Sequence, residues 1–127
     1  MSLPLTQHSS LLSTAPQASP EDMKQVAQAG FMSVMNNRPD FEGGEDQPTA
    51  ASVEQAVHSQ GMAFYNLPFS GGDLSPKLAL EFARVLGHAK KPILVYCRTG
   101  TRSTAIFNMA VELGYLNPVD LSFIERA

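Results

Sequence analysis

Apolar positions along the chain fall into short continuous runs that alternate with stretches of helical period. Residues 31–36 (FMSVMN), 62–67 (MAFYNL) and 92–97 (PILVYC) are compact apolar runs bounded by glycine, proline or polar residues, the pattern of buried strands. Residues 10–16 (SLLSTAP) give a further, shorter strand candidate. Between these runs the period changes to that of a helix. In 19–30, Ser19 suits the N-cap and Pro20 the first helical position, Met23, Val26 and Ala27 share a face, and Gly30 ends the element. The next helix starts at Thr49 or Ser52, turns Val53, Ala56 and Val57 inward and stops at Gly61. Pro76 opens a third, with Leu78, Phe82, Val85 and Leu86 as its apolar stripe and Gly87 or His88 at its end. A fourth runs over 101–113 with Gly114 beyond it. Asn117 and Pro118 suggest one more short helix. Residues 1–12 are polar and are expected to be loosely held, leaving 13–127 as the folded domain.

Strand and helix therefore alternate. This predicts an α/β domain with a mostly parallel sheet of about four or five strands, flanked by helices on both faces. Ligands of such sheets bind beyond the carboxyl ends of the strands. Cys97 stands at one such end, and the loops "NNRPDFE" and "PFSGGD" follow two others. Three loops can converge on one pocket.

Composition narrows the function. A chain of 127 residues, 43% hydrophobic, makes one domain with a real core. A net charge of −3 with no basic run gives no electrostatic footprint for nucleic acid. No apolar stretch approaches the ~18 residues that a transmembrane helix needs. A single cysteine rules out an internal disulfide and paired-cysteine zinc sites. No secretion signal is legible at the N-terminus, so a cytoplasmic setting is expected. The scattered His8, His58 and His88 suggest no metal site, and neither metal nor cofactor is expected.

The chemistry concentrates in "YCRTGTRST". Cys97 ends a strand, Gly100 permits a tight turn, and a helix begins at Thr101. Amides of such a turn converge and, with the helix dipole, make an anion cradle. A thiol in that cradle is stabilised as thiolate, with its pKa falling from about 8.5 to roughly 3.5–7.5 in such settings. Arg102 offers a planar fork for an anion above the sulfur, and Ser103 and Thr104 offer hydroxyls. Arg98, Thr99, Gly100, Thr101 and Ser103 complete the anion-binding loop. A lone buried cysteine is by default a small core residue. Two arginines around a glycine turn serve no packing purpose, which favours a reactive loop.

The same loop resembles those of two enzyme families, the cysteine-dependent phosphatases (Cys, five residues, Arg) and the rhodanese-like sulfurtransferases (Cys, four residues, Arg). From about 13 to 113, "GFMSVMNNRPDFEGGEDQP", "GMAFYNLPFSGGDLSP" and "PILVYCRTGTRS" resemble the bacterial beta-lactamase-hydrolase-like, phosphatase-like domain family. The resemblance implies a fold like that of dual-specificity phosphatases, with Cys97 as nucleophile, Gly100 as the loop glycine and Arg102 as the loop arginine. It also implies a link to persulfide-oxidising enzymes of metallo-beta-lactamase fold as partners. Two positions depart from the phosphatase pattern. Arg102 stands five rather than six places after the cysteine, and Tyr96 replaces the histidine before it.

Phosphate ester cleavage needs an acid to protonate the leaving oxygen. Asp73 is the first candidate, with Asp40 and Glu42 weaker ones; Asp73 could equally cap the turn before the helix. Sulfur transfer through a Cys97 persulfide needs no separate acid, because a thiol leaves readily as thiolate. The shorter loop and the missing histidine favour sulfur transfer from persulfide or thiosulfate, with phosphate monoester hydrolysis as the alternative. A third reading is a non-catalytic anion-binding or sulfur-carrier module. In every case the partner is a small anion. Asn37, Arg38 and Asp40 form the neighbouring pocket loop. Arg38 could attract the anion and Asp40 could hold Arg102 or Arg38, or the loop could be a local salt-bridged turn. Arg98 is expected to point outward, and Tyr65 and Phe69 to wall the pocket or join the core.

Overall fold

The computed structural model describes residues 1–125; Arg126 and Ala127, the end of the expected domain, lie outside the described residues. Five strands form one sheet: β1 (Thr6–Ser9), β2 (Leu12–Ala15), β3 (Ser33–Asn36), β4 (Ala63–Asn66) and β5 (Ile93–Tyr96), in the order β1-β2-β5-β3-β4. β2, β5, β3 and β4 run parallel, and β1 pairs antiparallel with β2 at the edge. The helices are α1 (Met23–Gln28), α2 (Ala50–Ser59), α3 (Pro76–His88) and α4 (Thr101–Glu112). The mostly parallel α/β sheet read from the sequence is the observed architecture.

Burial follows the strand period of two. On β5, Ile93 and Val95 join a core with α3 and α4, built around Phe82, Leu86, Ile106 and Ala110. Leu94 and Tyr96 face the other way, into a core with Met23, Val26, Val53 and Val57 of α1 and α2. Helices thus cover both faces of the central strand. All four β5 residues are buried, which accounts for the continuous apolar run in the sequence.

Register then sets the site. Ala15, Tyr96, Asn36 and Asn66 stand in one row at the carboxyl ends of the parallel strands. The chain leaves that row as Pro16–Gln17, Cys97, Asn37 and Leu67, so the expected convergence of loops follows from the pairing.

Three expectations are corrected. Within the first twelve residues, expected to be loosely held, Thr6–Ser9 form β1, paired through Thr6↔Thr14 and Gln7↔Ser13. Backbone pairing at a sheet edge needs no apolar pattern, so a polar strand there leaves little signal. The helix expected from residue 19 begins as a 3-10 turn, Pro20–Asp22, before α1; the Asp22 carboxylate accepts from the N–H and hydroxyl of Ser19. The final short helix does not form. Asn117 accepts from the N–H of Val119 as a cap would, but Asp120 then binds Ser122 and Leu121 turns to φ 55°. The chain doubles back, buries Leu121 and pairs Leu116 with Phe123.

Candidate active site

Cys97 follows β5 directly and is fully buried. Its backbone N–H donates to the Ala15 carbonyl at 3.3 Å, which fixes it against the end of β2. Gly100 is the N-cap of α4 and sits at φ 92°, where an L side chain is strained. A Cβ there would also lie 3.5 Å from the Ala15 backbone. That glycine turn brings its own N–H to 3.1 Å from the Cys97 sulfur.

Burial alone would push the Cys97 thiol up. Donors from Ser103, Gly100 and Thr99 outweigh it, so the pKa lies below the ordinary thiol value. The Ser103 hydroxyl has one proton, and that proton is committed to Asn37 Oδ1 at 2.8 Å. The standing stabilisation of the thiolate therefore comes chiefly from backbone N–H groups of the loop. The hydroxyl can turn to the sulfur only by leaving Asn37. Asn37 is itself fully buried and fixed, donating through Nδ2 to the Leu67 carbonyl at 2.9 Å.

Arg102 is the second residue of α4. Glu42 holds it end-on: Oε2 accepts from Nη1 at 2.8 Å and Oε1 from Nη2 at 2.7 Å. The Phe69 carbonyl accepts from Nη1 at 3.1 Å. A guanidinium has five N–H groups. These contacts use the terminal edge; among the described residues the side-on edge, Nε and the second Nη2 proton, meets no further nitrogen or oxygen acceptor, and the Cys97 sulfur is the remaining acceptor for the guanidinium. Arg102 is held in its charged form first by Glu42 and also by the nearby Cys97. The free edge is therefore a two-pronged donor beside the sulfur.

Glu42 is the shared acceptor of two arginines. Arg38 Nε donates to its Oε1 at 2.9 Å, and Arg38 Nη1 reaches Gln17 at 3.2 Å. Its carboxyl is pulled down to about 2, by the Arg102 hydrogen bond above all and by Arg38 as well. Glu42 is thus ionised throughout the neutral range and has no proton to donate.

The sequence-assigned residues divide accordingly. Cys97, Thr99, Gly100, Arg102, Ser103, Asn37 and Arg38 converge. Arg38 is buried and paired with Glu42 and Gln17, so it is no free lure for a substrate. Asp40 does not hold either arginine; its Oδ1 accepts from the Ala50 N–H at 2.8 Å at the start of α2. Arg98 and Thr101 are exposed, and Thr101 pairs its hydroxyl with Thr99. Phe69 is core, while its carbonyl serves the site.

Asp73 ends a 3-10 turn, Gly71–Asp73, on the loop after β4. A Cβ on Gly71 would lie 4.0 Å from the Arg102 side chain, so this loop borders the arginine. The Asp73 carboxylate is exposed, and α3 is capped by Ser75, which accepts from the Leu78 N–H. Asp73 closes the turn before that helix, its N–H donating to the Ser70 carbonyl at 2.9 Å. Among the described residues, no group of three or more His, Cys, Asp or Glu is placed to hold a metal, and no helix is long and apolar enough to cross a membrane.

A family model for the beta-lactamase hydrolase-like protein, phosphatase-like domain matches residues 5–113. The chain belongs to this family. A beta-lactamase hydrolase-like protein of Agrobacterium fabrum is 29% identical over 94 residues, covering 72% of this chain and 21% of that protein. The chain thus spans about a fifth of the length of the curated relatives it matches. Among solved structures, a phosphatase candidate from Neisseria meningitidis is 33% identical, with a TM-score of 0.74 over 80% of this chain and 71% of that one. TpbA of P. aeruginosa, solved in complex with pTyr, aligns with a TM-score of 0.65 at 18% identity over 87% of this chain and 65% of that one. This family member has the fold of cysteine-dependent phosphatases, as the sequence resemblance implied.

Proposed function

We propose that the domain is a cysteine-dependent phosphatase that hydrolyses phosphate monoesters through a phosphocysteine intermediate. The observation that carries this reading is the side-on edge of Arg102, clear of nitrogen and oxygen acceptors among the described residues and held beside a thiol whose pKa is lowered by loop amides. Two parallel donors suit two oxygens of a tetrahedral phosphoryl group. The arginine does this work from position five of the loop because Glu42 and the Phe69 carbonyl aim it.

In the first step the Cys97 thiolate attacks phosphorus. A sulfur–phosphorus bond forms, the phosphorus–oxygen bond to the leaving group breaks, and the leaving oxygen takes a proton from an acid. Of the three candidate acids, Glu42 is ionised between two arginines and Asp40 is bound to the Ala50 backbone. Asp73, exposed on the loop that borders Arg102, is the acid in this reading. In the second step water attacks phosphorus, the sulfur departs as thiolate, and the same carboxylate takes the water proton. The Ser103 hydroxyl, turning from Asn37, can donate to the departing sulfur.

Sulfur transfer, preferred on loop length and the missing histidine, gives way to this reading. Family and fold comparisons support the phosphatase lineage, and sulfur transfer gains no support from them. Tyr96 faces the α1–α2 core, on the side of the sheet away from α3 and α4, so the replacement of histidine leaves the loop donors in place. The test is a paired assay on one preparation: phosphate release from an aryl phosphate, and sulfur transfer from thiosulfate to a thiol acceptor, each with Cys97→Ser as control. Phosphate release that depends on Cys97 supports the reading, and sulfur transfer alone overturns it.

A further inference from the structure

Gln17 lies outside every loop that the sequence assigns to the site, yet it touches two of them. It stands two residues past β2, where the chain leaves the sheet. Its backbone N–H donates at 3.1 Å to the carbonyl of Arg98, the residue after the nucleophile. Its side-chain Oε1 accepts from Arg38 Nη1 at 3.2 Å, across 21 positions of sequence. The other end of the amide is held as well, with Nε2 donating to the Ala18 carbonyl at 2.7 Å. That bond keeps the oxygen turned toward Arg38.

Arg38 carries the contact onward. Its Nε donates to Glu42 Oε1 at 2.9 Å, and the same oxygen accepts from Arg102 Nη2 at 2.7 Å. The hydrogen bonds therefore form a circuit that passes from the Arg98 carbonyl through Gln17, Arg38 and Glu42 to Arg102. It leaves the cysteine loop just after Cys97 and returns to it at the arginine. The loops after β2, β3 and β5 are joined in it.

Arg38 is a fixed post in this circuit. Asn36 binds its backbone on both sides: the Arg38 N–H donates to Oδ1 and the Arg38 carbonyl accepts from Nδ2, both at 2.8 Å. The Arg38 side chain is 9% exposed, against 29% for Glu42. Gly43 leaves the space that the guanidinium fills, since a Cβ there would stand 2.6 Å from Arg38 Nη2. A merely local Arg–Glu turn would need neither that space nor Gln17. Glu42 is the more exposed and mobile partner, and ordering a flexible side chain costs entropy. Because Arg38 already restricts Glu42, the clamp on Arg102 costs less side-chain freedom than an isolated pair would.

We infer that Gln17 and Arg38 are positioning residues: acting through Glu42, they fix the direction in which Arg102 presents its donors to an anion above Cys97. The catalytic consequence rests on the phosphatase reading above, while the fixing of Arg102 does not.

The test has two readouts on Gln17→Leu, which keeps the bulk and removes the acceptor. The first is NMR of the Arg102 guanidinium, assigned with Arg102→Lys. A guanidinium clamped end-on turns slowly about its Nε–Cζ bond, so Nη1 and Nη2 give separate nitrogen signals. The unaltered chain is expected to show both signals, Gln17→Leu a single averaged one, and Gln17→Glu, which retains the acceptor, both again. The second readout is kinetic. In Gln17→Leu, kcat/KM for p-nitrophenyl phosphate should fall roughly three- to tenfold, the scale of one lost hydrogen bond, and it should recover in Gln17→Glu. Alkylation of Cys97 by iodoacetamide should keep its rate in all three, which shows the cysteine loop intact. Arg38→Lys offers one nitrogen to two acceptors; it should behave as Gln17→Leu does, and it takes that variant's place if the latter does not fold. The expected signals without any phosphate release leave the inference standing and remove the phosphatase reading alone. Separate Arg102 signals that persist in Gln17→Leu overturn the inference, and an active enzyme with unchanged kcat/KM then leaves the phosphatase reading standing.

Discussion

The Glu42 carboxylate meets Arg102 end-on, with both oxygens bound to the two terminal nitrogens at 2.8 and 2.7 Å, sixty positions apart in the chain. A loop after β3 thereby aims the arginine of a loop after β5. The contact leaves the side-on edge of the guanidinium for a ligand and holds the whole group in one orientation.

Glu42→Gln keeps the size but provides one acceptor oxygen where two were used, and removes the charge. The arginine is then less firmly aimed. Loss of kcat/KM for an aryl phosphate by roughly ten- to a hundredfold is expected, as for other misaligned catalytic groups. Thiolate reactivity of Cys97 toward a neutral alkylating agent should change far less. Equal losses in both would show that Glu42 supports the fold of the loop rather than the aim of Arg102.

Arg102→Lys retains the charge and loses the fork. A point charge cannot make two parallel bonds to a phosphoryl group while holding Glu42. The expected cost is about 10²–10³ in kcat/KM, the scale for removing an oriented donor from a transition state. Steady-state kinetics at several salt concentrations check this, and a Lys variant of near-normal activity would contradict the side-on geometry.

The Glu42 carboxyl titrates near 2, below its ordinary 4.5. A depressed folded-state pKa adds stability that is complete above the unfolded value and lost as pH falls through the folded one. The Glu42 contribution should thus be intact at neutral pH and disappear between about 4.5 and 2. Carboxyl titration by NMR, with Glu42→Gln for assignment, reads it directly. An ordinary value would mean that the clamp is not populated in solution.

For Cys97 the direction is also downward, set against burial by the loop donors. The thiolate absorbance at 240 nm is expected to titrate below the ordinary thiol value. Ser103→Ala should move that midpoint only slightly, because the hydroxyl proton rests on Asn37. A large upward move would place the proton on sulfur instead.

Much of this was legible in the sequence. The runs at 31–36 and 92–97 contain β3 and β5, because fully covered strands leave an unbroken apolar signature, and the run at 62–67 contains β4, an edge strand that is only partly buried. The turn at Gly100 and the start of α4 were readable for a similar reason: a local conformational requirement leaves a local residue choice. The roles of Asp40 and Glu42 were not. Both are acidic and two positions apart, and nothing local tells which one meets Arg102. Phe41 decides the matter, because at φ 64° it redirects the chain between them, sending Asp40 to the Ala50 N–H and Glu42 to the arginines. The edge strand β1 escaped notice because its polar residues have little buried surface to pattern.

Asp73→Asn separates the acid from the nucleophile. Loss of a general acid costs typically 10²–10⁴. The loss should be large for an alkyl phosphate and small for p-nitrophenyl phosphate, whose leaving group needs little protonation. Equal losses on the two esters would remove Asp73 from the acid role.

The most direct measurement is the intact mass of the protein, acid-quenched during turnover of p-nitrophenyl phosphate and followed by peptide mapping. The account predicts one phosphoryl group, carried on Cys97 and missing from Cys97→Ser. Turnover without any phosphorylated protein, or with the label on another residue, would contradict it.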